Sequence, residues 1–189
     1  QPLSDDYIKF IRFAEHMIAK NGSGILAMIT NNSYIDGLIH RQMRKHLLST
    51  FDKVYILDLH GSYKKKEASP DSSQDENIFD IQQGVAIILA LKITRSSFKP
   101  AIVFQADLYG KRPEKFAFLD SKQIKYKQIF PKEPTYYLTY KDTSNLESYI
   151  HNISVGTLFK VHNAGVATGK DKSLVTYDQL DLYNNFPAE

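Results

Sequence analysis

The chain of 189 residues contains no cysteine, which excludes disulfides and thiolate metal sites and makes a reducing compartment, the cytoplasm, the expected location. No apolar run approaches the ~20 residues that a membrane-spanning helix requires. The opening Gln1-Pro2-Leu3-Ser4 lacks the charged and apolar regions of a signal peptide, so a soluble protein is expected. Catalytic signatures are scarce as well. The six histidines, His16, His40, His46, His60, His151 and His162, form no HExxH pattern, so no metal site is signalled and each reads as a surface or satisfied core residue. Gly165 to Lys170 lacks the spacing and the trailing Ser or Thr of a Walker loop, which removes a nucleotide triphosphatase. No glycine-rich dinucleotide fingerprint occurs. Asp58 and His60 fall near a strand end beside the expected position of Ser33, yet no GxSxG elbow supports a hydrolytic triad. The pattern of a metal-dependent nuclease is missing too. A net charge of +3 permits a polyanionic partner without arguing for one.

What is present is a core. Hydrophobic residues make up 42% of the chain, enough for one ordinary domain or one domain and part of a second. Three continuous apolar runs organise it: Gly24 to Thr30, Val54 to Leu59 and Val85 to Leu91. Runs of this kind are strands covered on both faces, and the first is expected to be a central parallel strand. Ahead of it, Tyr7, Phe10, Ile11, Ala14, Met17 and Ile18 follow helical spacing, with Ser4-Asp5-Asp6 as an acidic start and Asn21-Gly22 as a stop. A second helix is expected from Leu38 to Leu48, with Leu38, Ile39, Met43 and Leu47 inward and His40, Arg41, Arg44 and Lys45 mostly outward. Strand, helix and strand then form a right-handed crossover joining parallel neighbours, and the class is α/β.

Candidate site residues cluster in the connections. Asn31, Asn32 and Ser33 follow the first strand at its carboxyl end, where open α/β sheets bind ligands, although the same residues would also cap the next helix. Arg41 and Arg44 give that helix a basic face that suits phosphate contact or simple solvation. From Gly61 to Gln83 the chain is a long polar loop carrying Lys64, Lys65 and Lys66, which read either as phosphate contacts or as part of a solvated, mobile segment. Phe79 stands at its end, as a core residue or as a stacking platform. Beyond Pro100, Ala101 to Gly110 reads as a strand, Lys111-Arg112-Pro113 as a basic turn, and Lys122 to Lys127 as an exposed edge strand or linker. A short helix is expected around Asn145 to Ile150, followed by glycine-rich strand and turn. The chain is expected to be part of something longer.

The order of these segments resembles the later half of adenine-N6 DNA methyltransferases of restriction-modification systems, above all the single-chain, type IIG-like enzymes that fuse nuclease, methyltransferase and target recognition. The resemblance is carried by Tyr7-Ile8-Lys9-Phe10-Ile11-Arg12-Phe13-Ala14, by Gly24 to Asn31, by Leu38 to Leu48 and by Asn77-Ile78-Phe79-Asp80-Ile81-Gln82-Gln83-Gly84-Val85-Ala86-Ile87. It covers roughly residues 4 to 94, while Ala106 to Gly110 and Gly165 to Asp171 resemble the passage into the recognition domain. The family's FxGxG-like cofactor segment and its NPPY clamp do not occur here.

The resemblance implies a partial doubly wound, Rossmann-like methyltransferase sheet with an appended mixed β/α segment. It implies residues 1–98 as the later half of a catalytic domain, 99–144 as connecting strands and linker, and 145–189 as the start of target recognition. Double-stranded DNA is the implied partner. S-adenosylmethionine is the implied cofactor of the parent protein, with none expected on this chain, which alone is expected to be inactive. Phe79 takes the position of the aromatic that stacks on the extruded adenine, and Asn31, Asn32 and Ser33 could line the same pocket. The alternative is a non-enzymatic DNA-binding or specificity module, in which Phe79 is core. A small hydrolase-like α/β enzyme has the least support.

Overall fold

The computed structural model describes residues 5–65, 69–93, 100–121, 123–142, 144, 148, 151–159 and 161. It divides into two compact units, Gln1–Lys141 and Asp142–Glu189. The first unit holds a helix α1 (Asp6–Asn21), strand β1 (Gly24–Asn31), a short helix α2 (Ser33–Asp36), a 3-10 turn (Leu38–His40) and helix α3 (Arg41–Thr50). Strands β2 (Lys53–His60), β3 (Val85–Lys92) and β4 (Ile102–Asp107), helix α4 (Arg112–Ser121) and strand β5 (Lys127–Ile129) follow. In the second unit a single turn of helix, α5 (Val155–Leu158), is capped by the Ser154 hydroxyl, which accepts from the Thr157 amide. The helix expected around Asn145 to Ile150 and the Gly165 to Asp171 stretch lie, wholly or for the most part, outside the described residues. No helix among the described residues is long and apolar enough to cross a membrane.

The five strands form one mixed sheet in the order β1-β3-β2-β4-β5. All three apolar runs are strands as expected, but their arrangement differs. β3 lies between β1 and β2 and runs antiparallel to both, whereas β2 and β4 pair in parallel. Two corrections follow. β1 is an end strand of the sheet rather than a central one, and the crossover through α3 does not join neighbours, because β3 has inserted between the strands it connects. Nor is β1 covered on both faces: Leu26 and Thr30 are buried, but Ile25 and Ile29 on the other face are exposed, so its continuous apolar run does not report burial on both sides.

One face of the sheet carries the main core. Leu26, Val54, Ile56, Ile88, Ala90 and Val103 point to it, and Ile11 of α1, Leu47 and Leu48 of α3, and Tyr34 and Ile35 of α2 close over them. α1 ends as its sequence predicts, with Gly22 at φ 84 and its amide donating to the Ile18 carbonyl at 3.0 Å. On the opposite face, Phe118 and Leu119 of α4 pack with Ile124 and Tyr126 against Leu57, Ile87 and Ala106. Tyr55 stacks on Phe104 there at 4.8 Å. α4 begins where a basic turn was expected. Pro113 fits the first turn of a helix, whose amides need no internal partner, so the proline marks a start rather than a break.

The α3 region overturns a second expectation. Leu38 and Ile39, expected inward, are exposed, while Arg44, expected on a solvated basic face, is completely buried. Its Nη1 donates to the carbonyls of Tyr34 at 2.7 Å and Gly37 at 2.8 Å. Nε and Nη2 donate to the Thr135 carbonyl at 2.9 and 2.6 Å. Arg44 is therefore a cross-brace between α2, α3 and the segment after β5, and it is not placed to contact phosphate.

Candidate functional site at the carboxyl edge of the sheet

β1, β2 and β4 all end at one edge of the sheet, and the long connection from β2 to β3 returns to the same edge. Its polar residues were expected to be solvated and mobile. Ser62, Ser69, Asp75 and Asn77 are instead buried. The loop is held largely by hydrogen bonds, with Ile78 as its buried apolar anchor beside Leu59 and Val85. Asp75 accepts from the Gly61 amide at 2.7 Å and the Gly110 amide at 3.0 Å, and pairs with the Lys115 ammonium at 2.7 Å, both side chains being fully buried. Lys115 Nζ also donates to the carbonyls of Leu59 and Glu76 at 2.7 and 2.6 Å. Gly61 adopts φ 78, and a Cβ there would stand 2.4 Å from Asn77 Cα, so both the backbone angle and the close approach require glycine.

Asn77 sets the end of the loop. Its amide nitrogen donates to the Gly61 carbonyl at 2.9 Å and the Gln83 carbonyl at 2.7 Å, and its Oδ1 accepts from the Phe79 amide at 2.9 Å. Phe79 is thus anchored through its backbone while its ring is 42% exposed. The Asn32 amide donates to the Gly84 carbonyl at 2.9 Å, and a Cβ on Gly84 would lie 2.6 Å from Asn32 Nδ2. This contact ties the end of β1 to the loop that carries Phe79. Asn31 Oδ1 accepts from the Ser33 amide at 2.8 Å and the Ser33 hydroxyl at 2.6 Å, a local turn that starts α2. Asn32 faces elsewhere, with Nδ2 donating to Asp58 Oδ1 at 3.0 Å.

Asp58 belongs to a cluster that sequence reasoning only half assembled. The parallel register sets Asp58 opposite Asp107. A bulge after Asp58 turns His60 to φ 51, and its Nε2 comes to 2.9 Å from Asp107 Oδ1 and its Nδ1 to 3.7 Å from Asp58 Oδ2. The Tyr109 ring stacks on the imidazole at 3.8 Å. Burial raises the Asp58 carboxyl above its ordinary range, against the opposing influence of the His60 charge and the Asn32 hydrogen bond. Burial acts in the same direction on Asp107, but the hydrogen bonds of His60 and Gln105 and the charges of His60 and Lys127 together outweigh it and the group is lowered. A cavity of about 300 Å³ opens above the cluster, lined among others by Asp36, Lys65, Tyr109 and Lys141.

The remaining candidates lie around this edge. Arg41, Lys64 and Lys65 are exposed, with Lys65 3.9 Å from Asp36, and Lys66 lies outside the described residues. Asp107, Tyr109, Asn77, Asp75 and Lys115 were not singled out as site residues from sequence. The signal that was available is the Asp107-Leu108-Tyr109-Gly110 segment at the end of a strand, whose partner strand only the register reveals.

No protein-family model and no curated protein matches the chain. Solved structures do. The fold is similar to part of a DrdV–DNA complex determined by cryo-electron microscopy, with a TM-score of 0.62 and 25% identity over 76% of this chain and 14% of that one. It is similar to part of the ATP-dependent Type ISP restriction-modification enzyme LlaBIII bound to DNA, with a TM-score of 0.62 and 28% identity over 77% of this chain and 10% of that one. A nuclease-deletion mutant of the Type ISP restriction-modification enzyme LlaGI, in complex with a DNA substrate mimic, shares the fold at a TM-score of 0.69 and 24% identity, over 97% of this chain and 18% of that one. This chain therefore spans a small part of the length of each, and its fold is similar to that of segments of two Type ISP restriction-modification enzymes and of the DrdV–DNA complex.

Proposed function

We propose that this chain is the later catalytic half of a site-specific adenine-N6 DNA methyltransferase, with the start of its target recognition domain, in a restriction-modification enzyme that acts on double-stranded DNA. The observation that carries the reading is Phe79, an aromatic ring left exposed at the carboxyl edge while its backbone is fixed by the buried Asn77. Support comes from the likeness to structures solved on DNA and from a mixed α/β sheet, with β3 antiparallel between β1 and β2, that is compatible with the partial sheet the reading calls for.

In this reading the target adenine leaves the duplex, because its amino group is not accessible to methylation inside the stack, and unstacking costs a few kcal/mol. Phe79 returns about 1 to 3 kcal/mol of this by stacking on the base. The loop is already braced by Asn77, Asp75 and Lys115, so little ordering entropy is lost when the base arrives. S-adenosylmethionine would be held by the family's FxGxG-like segment and the amino group by its NPPY clamp, neither of which occurs in this sequence. Methyl transfer belongs to the longer protein. Arg41, Lys64 and Lys65 are placed to meet phosphates, which would position the duplex without reading its sequence.

The test is Phe79→Ala in the longer protein, with unfolding and single-turnover methylation measured on the same preparation. A half-exposed ring should cost well under the ~3 to 5 kcal/mol of a buried phenylalanine, while methylation of a paired adenine falls steeply. A full core-sized loss of stability, together with normal methylation of a mismatched adenine, would instead make Phe79 a packing residue and favour a DNA-binding module without catalysis.

A further inference from the structure

The cluster at the ends of β2 and β4 gathers Asp58, His60 and Asp107, none of which the stacking of a base by Phe79 requires. Two carboxylates and one imidazole supply a ligand atom each, all within 4.8 Å of one another. Their surroundings hold them in place. Asn32 Nδ2 and the His60 amide both donate to Asp58 Oδ1 at 3.0 Å, leaving Oδ2 as the atom turned toward the imidazole. The stacked Tyr109 ring fixes the plane of His60. Asp107 is the exposed member of the three, so the cluster is closed on the Asp58 side and open on the other, toward the cavity.

The charges around it are unevenly shared. Lys65 and Lys141 line the same cavity, but both turn to Asp36, at 3.9 and 3.1 Å. Asp58 and Asp107 share one imidazole, which carries at most a single positive charge, and Asp107 also feels the Lys127 charge and the Gln105 side chain. A dication held by the three side chains would neutralise both carboxylates at once and keep the imidazole neutral as a ligand. One nitrogen and two carboxylate oxygens suit a first-row transition metal, borderline Zn²⁺ or the harder Mn²⁺, better than Ca²⁺, which prefers an all-oxygen shell of higher number. Ligand atoms around one such ion lie roughly 3 to 4 Å apart for bonds of about 2.0 to 2.2 Å, and the movement needed falls to Asp107, whose side chain is the least confined of the three.

We propose that Asp58, His60 and Asp107 form a binding site for a divalent transition-metal ion at the carboxyl edge of the sheet, with Asn32 orienting Asp58 from behind. The ion replaces the direct His60–Asp107 hydrogen bond and its remaining coordination positions open into the cavity, where water or a ligand oxygen completes the shell. Such an ion would join the end of β2 to the end of β4 and stabilise the folded chain through its binding energy. The inference stands apart from the methyltransferase reading and does not fall with it.

Titration of the 189-residue chain with MnCl₂ tests it, by calorimetry and by the broadening of histidine imidazole signals. The expected result is one saturable site, with His60 broadened at substoichiometric Mn²⁺ before the exposed His16 and His46. His60→Gln and Asp107→Asn should each weaken binding roughly tenfold or more, and Asn32→Ala by a similar factor through the loss of its orienting bond. Asp120→Asn, on the exposed side of α4, should leave it unchanged. Should a variant fail to fold, the broadening pattern of the unaltered chain decides alone. Absence of saturable binding at millimolar Mn²⁺, equal broadening of all histidines, or affinity unchanged by His60→Gln would each make the cluster an ion-pair network and overturn the proposal.

Discussion

Arg44 and Arg41 sit three residues apart on one helix and have opposite fates. Arg44 is fully buried, and its guanidinium donates to three main-chain carbonyls. Its desolvation is offset only while all three acceptors are met, because each buried carbonyl left without a donor costs about 1 to 3 kcal/mol. Arg44→Ala is therefore expected to lower stability by about 3 kcal/mol or more in urea unfolding. Arg41→Ala should change it by no more than ~0.5 kcal/mol, since the residue is exposed and pairs with nothing that is buried. Equal effects of the two substitutions would mean that the brace is not the source of the stability. In a DNA titration the order reverses, with Arg41 the only one of the two placed to reach a phosphate.

At the scale of elements, the connection between β2 and β3 shows how a segment with few apolar residues can still be ordered. The buried Asp75–Lys115 pair ties it to α4, and Asn77 closes its far end. Removing one member of a buried ion pair leaves the other charged and unpaired, at a cost of about 3 to 5 kcal/mol. Lys115→Ala should therefore destabilise the chain by about that much and also release the loop, so that trypsin cuts sooner at the exposed Lys64 and Lys65. Lys64→Ala should change stability little. Rapid cleavage at Lys65 in the unaltered chain, at a rate that Lys115→Ala does not increase, would show that the clamp does not hold the loop.

At the scale of the whole sheet, one region is left bare. Ile25 and Ile29 of β1 are 65% and 56% exposed, and the register sets them beside Leu91 and Ile87 of β3. The same strand has no partner on its outer edge among the described residues. An apolar face next to an open edge favours association. Ile25→Lys with Ile29→Lys should reduce concentration-dependent self-association in ultracentrifugation, with a stability change of less than ~1 kcal/mol because both side chains already face solvent. Undiminished self-association would place the sticky surface elsewhere.

The apolar runs, the glycine stop of α1 and the turn at Gly61 were legible because they express local preferences: β-branched content, helical period and tolerance of positive φ. Phe79 was legible only as an aromatic closing a polar loop, core residue or platform alike; its exposure is a property of the tertiary structure. The insertion of β3 between β1 and β2 was not, because a buried strand reads the same whichever neighbour it pairs with and in whichever direction. Nor was α4, where Pro113 reads as a turn until the helix it opens is seen. The inward turn of Arg44 depends on carbonyls as remote as that of Thr135, and the joining of Asp58 to Asp107 depends on the register between two strands far apart in the chain. Composition and period determine which segments are buried; only tertiary pairing decides which polar groups meet inside, because a hydrogen bond requires a specific partner at a specific distance.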